Sequence, residues 1–331
     1  MLYNSPIGGY FELELREGEH YHRNAIRLNT ASNCFEYVLR ARNYAKVYIP
    51  YYTCEVMLVP IRKLHIEHEF YHIDEKLEPS SLPKLDANEA FLYTNYFGLK
   101  QDCVKRLVLE YGSQLIVDDA QAFYAEPLEG IDTFYSARKF FGVPDGAYLY
   151  TDKPLRQEFE QDCSYDRMAH LLKRIDLGPE AGYQDFRTNE ELLCNQEIKR
   201  MSRLTEALLC GIDYESVKRK RKENYTVLEN TLKDSNLIHL KMDDDAVPMV
   251  YPYLTKDKSL RQRLIGNKVF VATYWPNVFE WCEEEDREFL LAKNSCFLPI
   301  DQRYGKEEME RIINLIKTNH VKRRCGLSSP I

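Results

Sequence analysis

Between residues 46 and 117, short apolar runs alternate with stretches whose apolar positions recur every three or four residues. The runs at 46–49, 65–71, 89–93 and 114–117 read as strands, the first closed by Pro50. Between them, residues 55–62 look helical, and 102–111 place Val104, Leu107, Val108 and Tyr111 on one helix face. Ahead of the first strand, Phe35, Val38 and Leu39 fall at i, i+3 and i+4 behind Ser32 and Asn33, which can cap the helix. Strands joined through such crossovers pair in parallel, and sheets of this kind hold ligands at the carboxyl ends of their strands.

Past residue 153 the texture changes. Residues 153–235 are helix-rich and charged, with a loop expected at 182–187. Strands expected at 238–241, 247–254 and 269–273 then alternate with helices. The last helix, 307–317, carries Met309, Ile312, Ile313 and Ile316 as a stripe that belongs to the core. The pattern predicts an α/β chain in two domains: 1–205, a large mostly parallel sheet with residues 1–28 as an N-terminal arm, and 206–331, a smaller α+β domain.

The candidate chemistry lies in residues 115–149. An apolar strand there ends in Asp118, a second strand follows, and Lys139 sits on a turn with Ser136 three residues before it. A lysine amine can condense with the aldehyde of pyridoxal phosphate (PLP) and later carry a proton, while a carboxylate against the pyridine nitrogen keeps that nitrogen protonated. Lys139 and Asp118 suit those two roles. The small residues Thr30, Ala31 and Ser32 at a helix N-terminus cap the helix or, with Ser136, receive a phosphate on free amides. His65, His68 and His72 find no matching ligand group elsewhere, so no metal is expected. Phosphate-binding GxxxxGK, dinucleotide GxGxxG and GxSxG motifs are absent from the sequence.

Composition narrows the class. A net charge of −7 argues against nucleic-acid binding, and the basic runs at 218–222 and 322–324 read as solvated faces. Nine scattered cysteines without a CxxC pair suggest free thiols in a reducing compartment. With neither a signal-peptide pattern nor a long apolar run, the expectation is a cytoplasmic protein without membrane spans.

These motifs together resemble the PLP-dependent nucleotide-sugar aminotransferases of the DegT/DnrJ/EryC1/StrS type, which share the aspartate-aminotransferase-like fold type I. Asp118-Asp119-Ala120-Gln121-Ala122 is similar to the family's D-A-A-Q-A, and residues 134–142 to the segment bearing the cofactor lysine. Asn29-Thr30-Ala31-Ser32 resembles the phosphate-binding N-S-G-T, Val47 to Thr53 the strand-P-x-x-T segment, Tyr96-Phe97-Gly98 the L-Y-G after another strand, and Arg200-Met201-Ser202 the N-Y-R-M-S segment, with Tyr52 or Tyr96 as the candidate ring in place of Cys54. The resemblance gives Asp118 to the pyridine nitrogen, Gln121 to the ring oxygen, Lys139 to the aldehyde, and Ala31, Ser32 and Ser136 to the phosphate. It also has Arg200 cross to a partner subunit in a homodimer.

The implied reaction moves an amino group from an amino acid, by analogy glutamate, to a nucleotide-linked keto-sugar. A sugar dehydratase of the same fold carries histidine at the position of Lys139. The alternatives are a degenerate protein that binds PLP or a nucleotide sugar without transamination, and a transaminase or lyase of a non-sugar substrate. The sequence departs from the family pattern at Ala31 (family glycine), Cys54 (the aromatic that stacks on the cofactor), Phe134 (family serine) and Ile198 (family asparagine).

Overall fold

In the computed structural model, which describes residues 7–324, two sheets organise the chain. Residues 1–6 of the expected arm, Cys325 and the side chains of the basic run at 322–324 lie outside the described residues.

The elements run β1 (Ile26–Leu28), α1 (Ala31–Arg42), β2 (Lys46–Pro50), α2 (Leu58–Lys63), β3 (Glu67–Tyr71), β4 (Glu89–Thr94), α3 (Gln101–Tyr111), β5 (Leu115–Asp118), β6 (Asp132–Ser136) and β7 (Ala147–Tyr150). Four helices follow: α4 (Ala169–Asp176), α5 (Tyr183–Cys194), α6 (Arg203–Cys210) and α7 (Tyr214–Leu232). The chain then forms β8 (Val250–Leu254), α8 (Leu260–Gly266), α9 (Val278–Trp281), α10 (Arg287–Asn294), β9 (Ser295–Pro299) and α11 (Lys306–Arg324).

Seven strands form one sheet in the order β1-β7-β6-β5-β4-β2-β3, and β8 pairs with β9 in a second. Strands β3, β2, β4, β5 and β6 are mutually parallel, as the crossover spacing predicts; β7 runs antiparallel to β6 and β1 antiparallel to β7. Strand alternation sends successive side chains to opposite faces. Val47, Ile49, Ala90, Leu92, Ile116 and Phe134 join the cluster that covers α1, whereas Tyr48, Phe91, Tyr93, Leu115, Val117 and Tyr135 enter a larger, aromatic-rich cluster that continues to β8, β9 and α11. With both faces covered, the parallel strands leave only their ends for a ligand.

Several expectations change. The segment 182–187 is not a loop, because α5 begins at Tyr183 directly after Gly182. Residues 238–241 and 269–273 form no strand: β8 and β9 pair only with each other, so no edge is taken up by either segment. The arm residues 26–28 form β1. The run at 218–222 is not uniformly solvated, since Arg221 is 1% exposed and Lys218 sits over the ring of Tyr21. None of the described helices is long and apolar enough to cross a membrane.

Candidate active site

Asp118 is the last residue of β5, in register with Thr94 at the end of β4 and with Phe134 on β6. Its carboxylate is buried; Oδ1 accepts the Ala120 N–H at 2.9 Å, and Oδ2 accepts the Thr94 hydroxyl at 3.4 Å. Burial pushes the carboxyl above its ordinary range, while the Lys139 charge and these two donors pull it back. The charge of Lys139 therefore reaches Asp118 across the strand ends.

Lys139 closes a short 3-10 turn, Ala137–Lys139, that follows β6. Ser136, buried, heads this turn, but its hydroxyl makes no capping bond. The Phe140 N–H donates to Ala137 O at 3.0 Å and the Ala137 N–H to Gly146 O at 3.1 Å, so the loop 137–146 returns onto itself. Beyond it, the fully buried Asp145 accepts the Ser202 N–H at 2.8 Å and the Ser202 hydroxyl at 2.6 Å, which fastens the loop to the start of α6. Gly146 has φ +113°, and a Cβ there would meet Thr205 Cγ2 at 2.9 Å. Lys139, itself exposed, also borders a cleft of about 670 Å³ whose wall includes Arg138, Arg174, Arg221, Arg303 and Gln302.

At the other end of the site, α1 is capped by Thr30 rather than by Ser32 or Asn33: the Thr30 hydroxyl accepts the Asn33 N–H at 3.0 Å. The backbone N–H groups of Ala31 and Ser32 in the first turn have no partner among the described residues. The Ser32 hydroxyl lies 3.4 Å from Val56 O. Asn29, fully buried, donates to Glu197 O at 3.0 Å and receives the Lys199 N–H at 3.3 Å, which binds the 196–200 segment beside this helix end. Ile198 enters the α1-side apolar cluster. Arg200 is fixed by its backbone to Glu160 and Asp162, and it is exposed.

Tyr52 and Tyr96, the rings nearest Cys54 in the sequence motifs, are both held in the core. Tyr96 is fully buried and donates from Oη to Tyr52 O at 2.8 Å; Tyr52 packs edge-on against Trp275 at 5.1 Å. The Cys54 thiol is the group that feels both anchors. Burial pushes it up, the Lys139 charge pulls it down and the Asp118 charge raises it. Gln121 is fully buried, with Oε1 accepting the Phe97 N–H at 3.0 Å and Nε2 left without a partner. A buried amide donor with no acceptor is costly unless a ligand supplies one. Asp119, the residue after the first anchor, is also buried, and burial with the neighbouring Asp118 charge pushes its carboxyl up to about 8.

An acid, a lysine, a buried amide donor and the first turn of α1 thus lie at or beyond strand ends on one edge of the sheet. The fold recurs in solved structures. An aminotransferase, TlmJ, from Streptoalloteichus hindustanus is 14% identical over 91% of this chain and 87% of its own, with a TM-score of 0.62. A DegT DnrJ EryC1 StrS aminotransferase from Brucella abortus is 13% identical over 89% and 86%, with a TM-score of 0.58. The E. coli GDP-4-keto-6-deoxy-D-mannose-3-dehydratase, solved with bound hydrated PLP, is 14% identical over 88% and 87%, at 0.61. The chain has the fold of the DegT/DnrJ/EryC1/StrS aminotransferases. No family model and no curated protein matches the sequence.

The residues named from the sequence thus fall at one edge of the sheet: Asp118, Gln121, Ser136 and Lys139 at or just beyond the ends of β5 and β6, Ala31 and Ser32 at the start of α1. Sequence reasoning missed Thr94 and Arg221. Thr94 carries a signal, because it ends a strand two positions before Tyr96 of the expected Tyr96-Phe97-Gly98 segment. Arg221 carries none, because it sits in a basic run on a helix. The histidines near residue 70 gather no metal site: His72 Nδ1 meets Glu288 at 3.2 Å, and among the described residues no group of three metal-ligating side chains exists.

Proposed function

We propose that this protein is a PLP-dependent aminotransferase that moves an amino group from an amino acid, by analogy glutamate, to a nucleotide-linked keto-sugar. The observation that supports the reading is the buried Asp118, which feels the Lys139 charge, together with the buried Gln121, whose Nε2 has no partner among the described residues. These residues fit the cofactor. PLP bound here would supply an electron sink conjugated to the reacting carbon.

Asp118 would hold the proton on the pyridine nitrogen, the Gln121 amide would donate to the ring oxygen, and the free N–H groups of Ala31 and Ser32 with Ser136 would take the phosphate. Lys139 would anchor the aldehyde and afterwards carry a proton between the donor and acceptor carbons. Arg200, exposed and fixed by its backbone, would reach a partner subunit's phosphate in a homodimer. The arginines of the cleft beside Lys139 suit the charge of a diphosphate.

Lysine rather than histidine at position 139 favours transamination over dehydration. Glutamate added to the PLP-loaded protein should bleach its visible band with release of 2-oxoglutarate, and one of a panel of nucleotide-linked keto-sugars should restore it. A band that no amino donor bleaches would remove transamination and leave the binding-only reading.

A further inference from the structure

Arg221 is the largest side chain of the fully buried set, and among the described residues no carboxylate lies within hydrogen-bonding distance of it. A guanidinium taken out of water has to spend its donors on fixed acceptors. Here Nε donates to Gln302 Oε1 at 3.1 Å, Nη1 to Met249 O at 2.9 Å and to Pro248 O at 3.4 Å, and Nη2 to Phe140 O at 3.4 Å. Its plane also lies over the ring of Phe140, with Cζ 4.5 Å from the centroid. Gln302 Nε2 adds a second donor to Phe140 O, at 2.8 Å. The carbonyl of the residue that follows Lys139 is therefore gripped from α7 and from the loop before α11.

The same guanidinium governs the other side of the site. Met249, whose carbonyl it holds, donates its N–H to Phe97 O at 2.9 Å, and Phe97 donates its N–H to Gln121 Oε1 at 3.0 Å. One buried fork thus lies between the turn that carries Lys139 and the segment that orients Gln121. Phe140 is tethered on both of its backbone faces, through its N–H to Ala137 and through its carbonyl to the clamp. Neither peptide flanking Phe140 can rotate without breaking one of these bonds.

We propose that Arg221, with Gln302, is a positioning residue that sets the Lys139 turn against Gln121. It rests on the reading of Lys139 as the cofactor lysine. A side chain that merely joined the two sheets would need no convergence on Phe140 O and Met249 O, and an apolar residue of like volume would serve it as well.

The test compares full-length wild type with Arg221→Met, Arg221→Lys and Gln302→Leu. Three quantities are read: PLP affinity, the pH midpoint of the visible band of the loaded protein, and the pH profile with which acetic anhydride labels Lys139 in cofactor-free protein, followed by peptide mass spectrometry. Arg221→Met and Gln302→Leu should each weaken PLP binding by about tenfold and move both the midpoint and the labelling profile. Arg221→Lys, which keeps the charge but not the fork, should recover thermal stability without recovering the midpoint.

Variants that lose thermal stability while the midpoint, affinity and labelling profile stay at wild-type values would overturn the proposal. If Arg221→Met fails to fold, Gln302→Leu decides by the same criteria. Wild type that takes up no PLP would defeat the cofactor reading instead, and the labelling profile would still decide the role of Arg221.

Discussion

Asp145 and Ser202 are bonded to each other twice: the carboxylate takes the Ser202 N–H at 2.8 Å and its hydroxyl at 2.6 Å, with the Thr205 hydroxyl as a third donor. The carboxylate is fully buried at the N-terminus of α6, where the free amides of a helix favour negative charge. Removing it leaves three buried donors without their acceptor. Asp145→Ala should cost about 3 kcal/mol of stability in urea unfolding. A loss below about 0.5 kcal/mol, the range of an ordinary surface change, would mean that the loop beyond Lys139 is not held this way.

Asp119 predicts an opposite trend with pH. Its carboxyl is raised from the ordinary 3.8 to about 8 by burial and the nearby Asp118 charge, against the pull of Asn95 and Tyr135. Between those values the folded chain keeps a proton that the unfolded chain has released, so stability falls as pH rises through that window, by up to about 1.4 kcal/mol per pH unit. Asp119→Ala should therefore stabilise the protein more at pH 8 than at pH 5. Thermal midpoints that gain equally at both pH values would contradict this origin.

The segment before β1 carries the reverse sign. His20 Nδ1 pairs with Tyr148 Oη at 2.7 Å, and His22 donates from Nε2 to Phe123 O at 2.8 Å. Burial lowers both rings from 6.5 to about 4. As pH falls from 6.5 toward 4, the released segment takes up protons that the docked one refuses, so docking weakens over that range. Trypsin should cut after Arg16 and Arg23 faster at pH 5 than at pH 7.5, once corrected for the enzyme's own pH dependence. His22→Gln, which keeps a donor but cannot titrate, should flatten that difference.

The parallel sheet was legible because its strands are short, apolar and regularly separated, and because an acid and a lysine at strand ends can be read without knowing their partners. Asp118 and Lys139 fall where that reading puts them. The failures have one cause, that a local pattern does not choose its partner. Residues 238–241 and 269–273 have strand-like composition but pair with no strand, and Arg221 looks solvated within its run until α7 packs against the lysine turn. The helix cap fell to Thr30, two residues ahead of Ser32, because the helix already starts at Ala31, with Thr30 still extended at φ −140° and ψ 156°. Cys54 stands where the resemblance expects an aromatic ring, and Tyr52 and Tyr96, the nearby rings in the sequence, are buried in the core.

The central claim is that Lys139 is the residue that bonds PLP. Borohydride reduction of the PLP-loaded protein, followed by peptide mass spectrometry, tests it most directly. One pyridoxyl group per chain on the peptide containing Lys139, with the visible band abolished and PLP uptake lost in Lys139→Ala, is the predicted result. A colourless protein that takes up no PLP, or a stoichiometric label on another lysine, would contradict it.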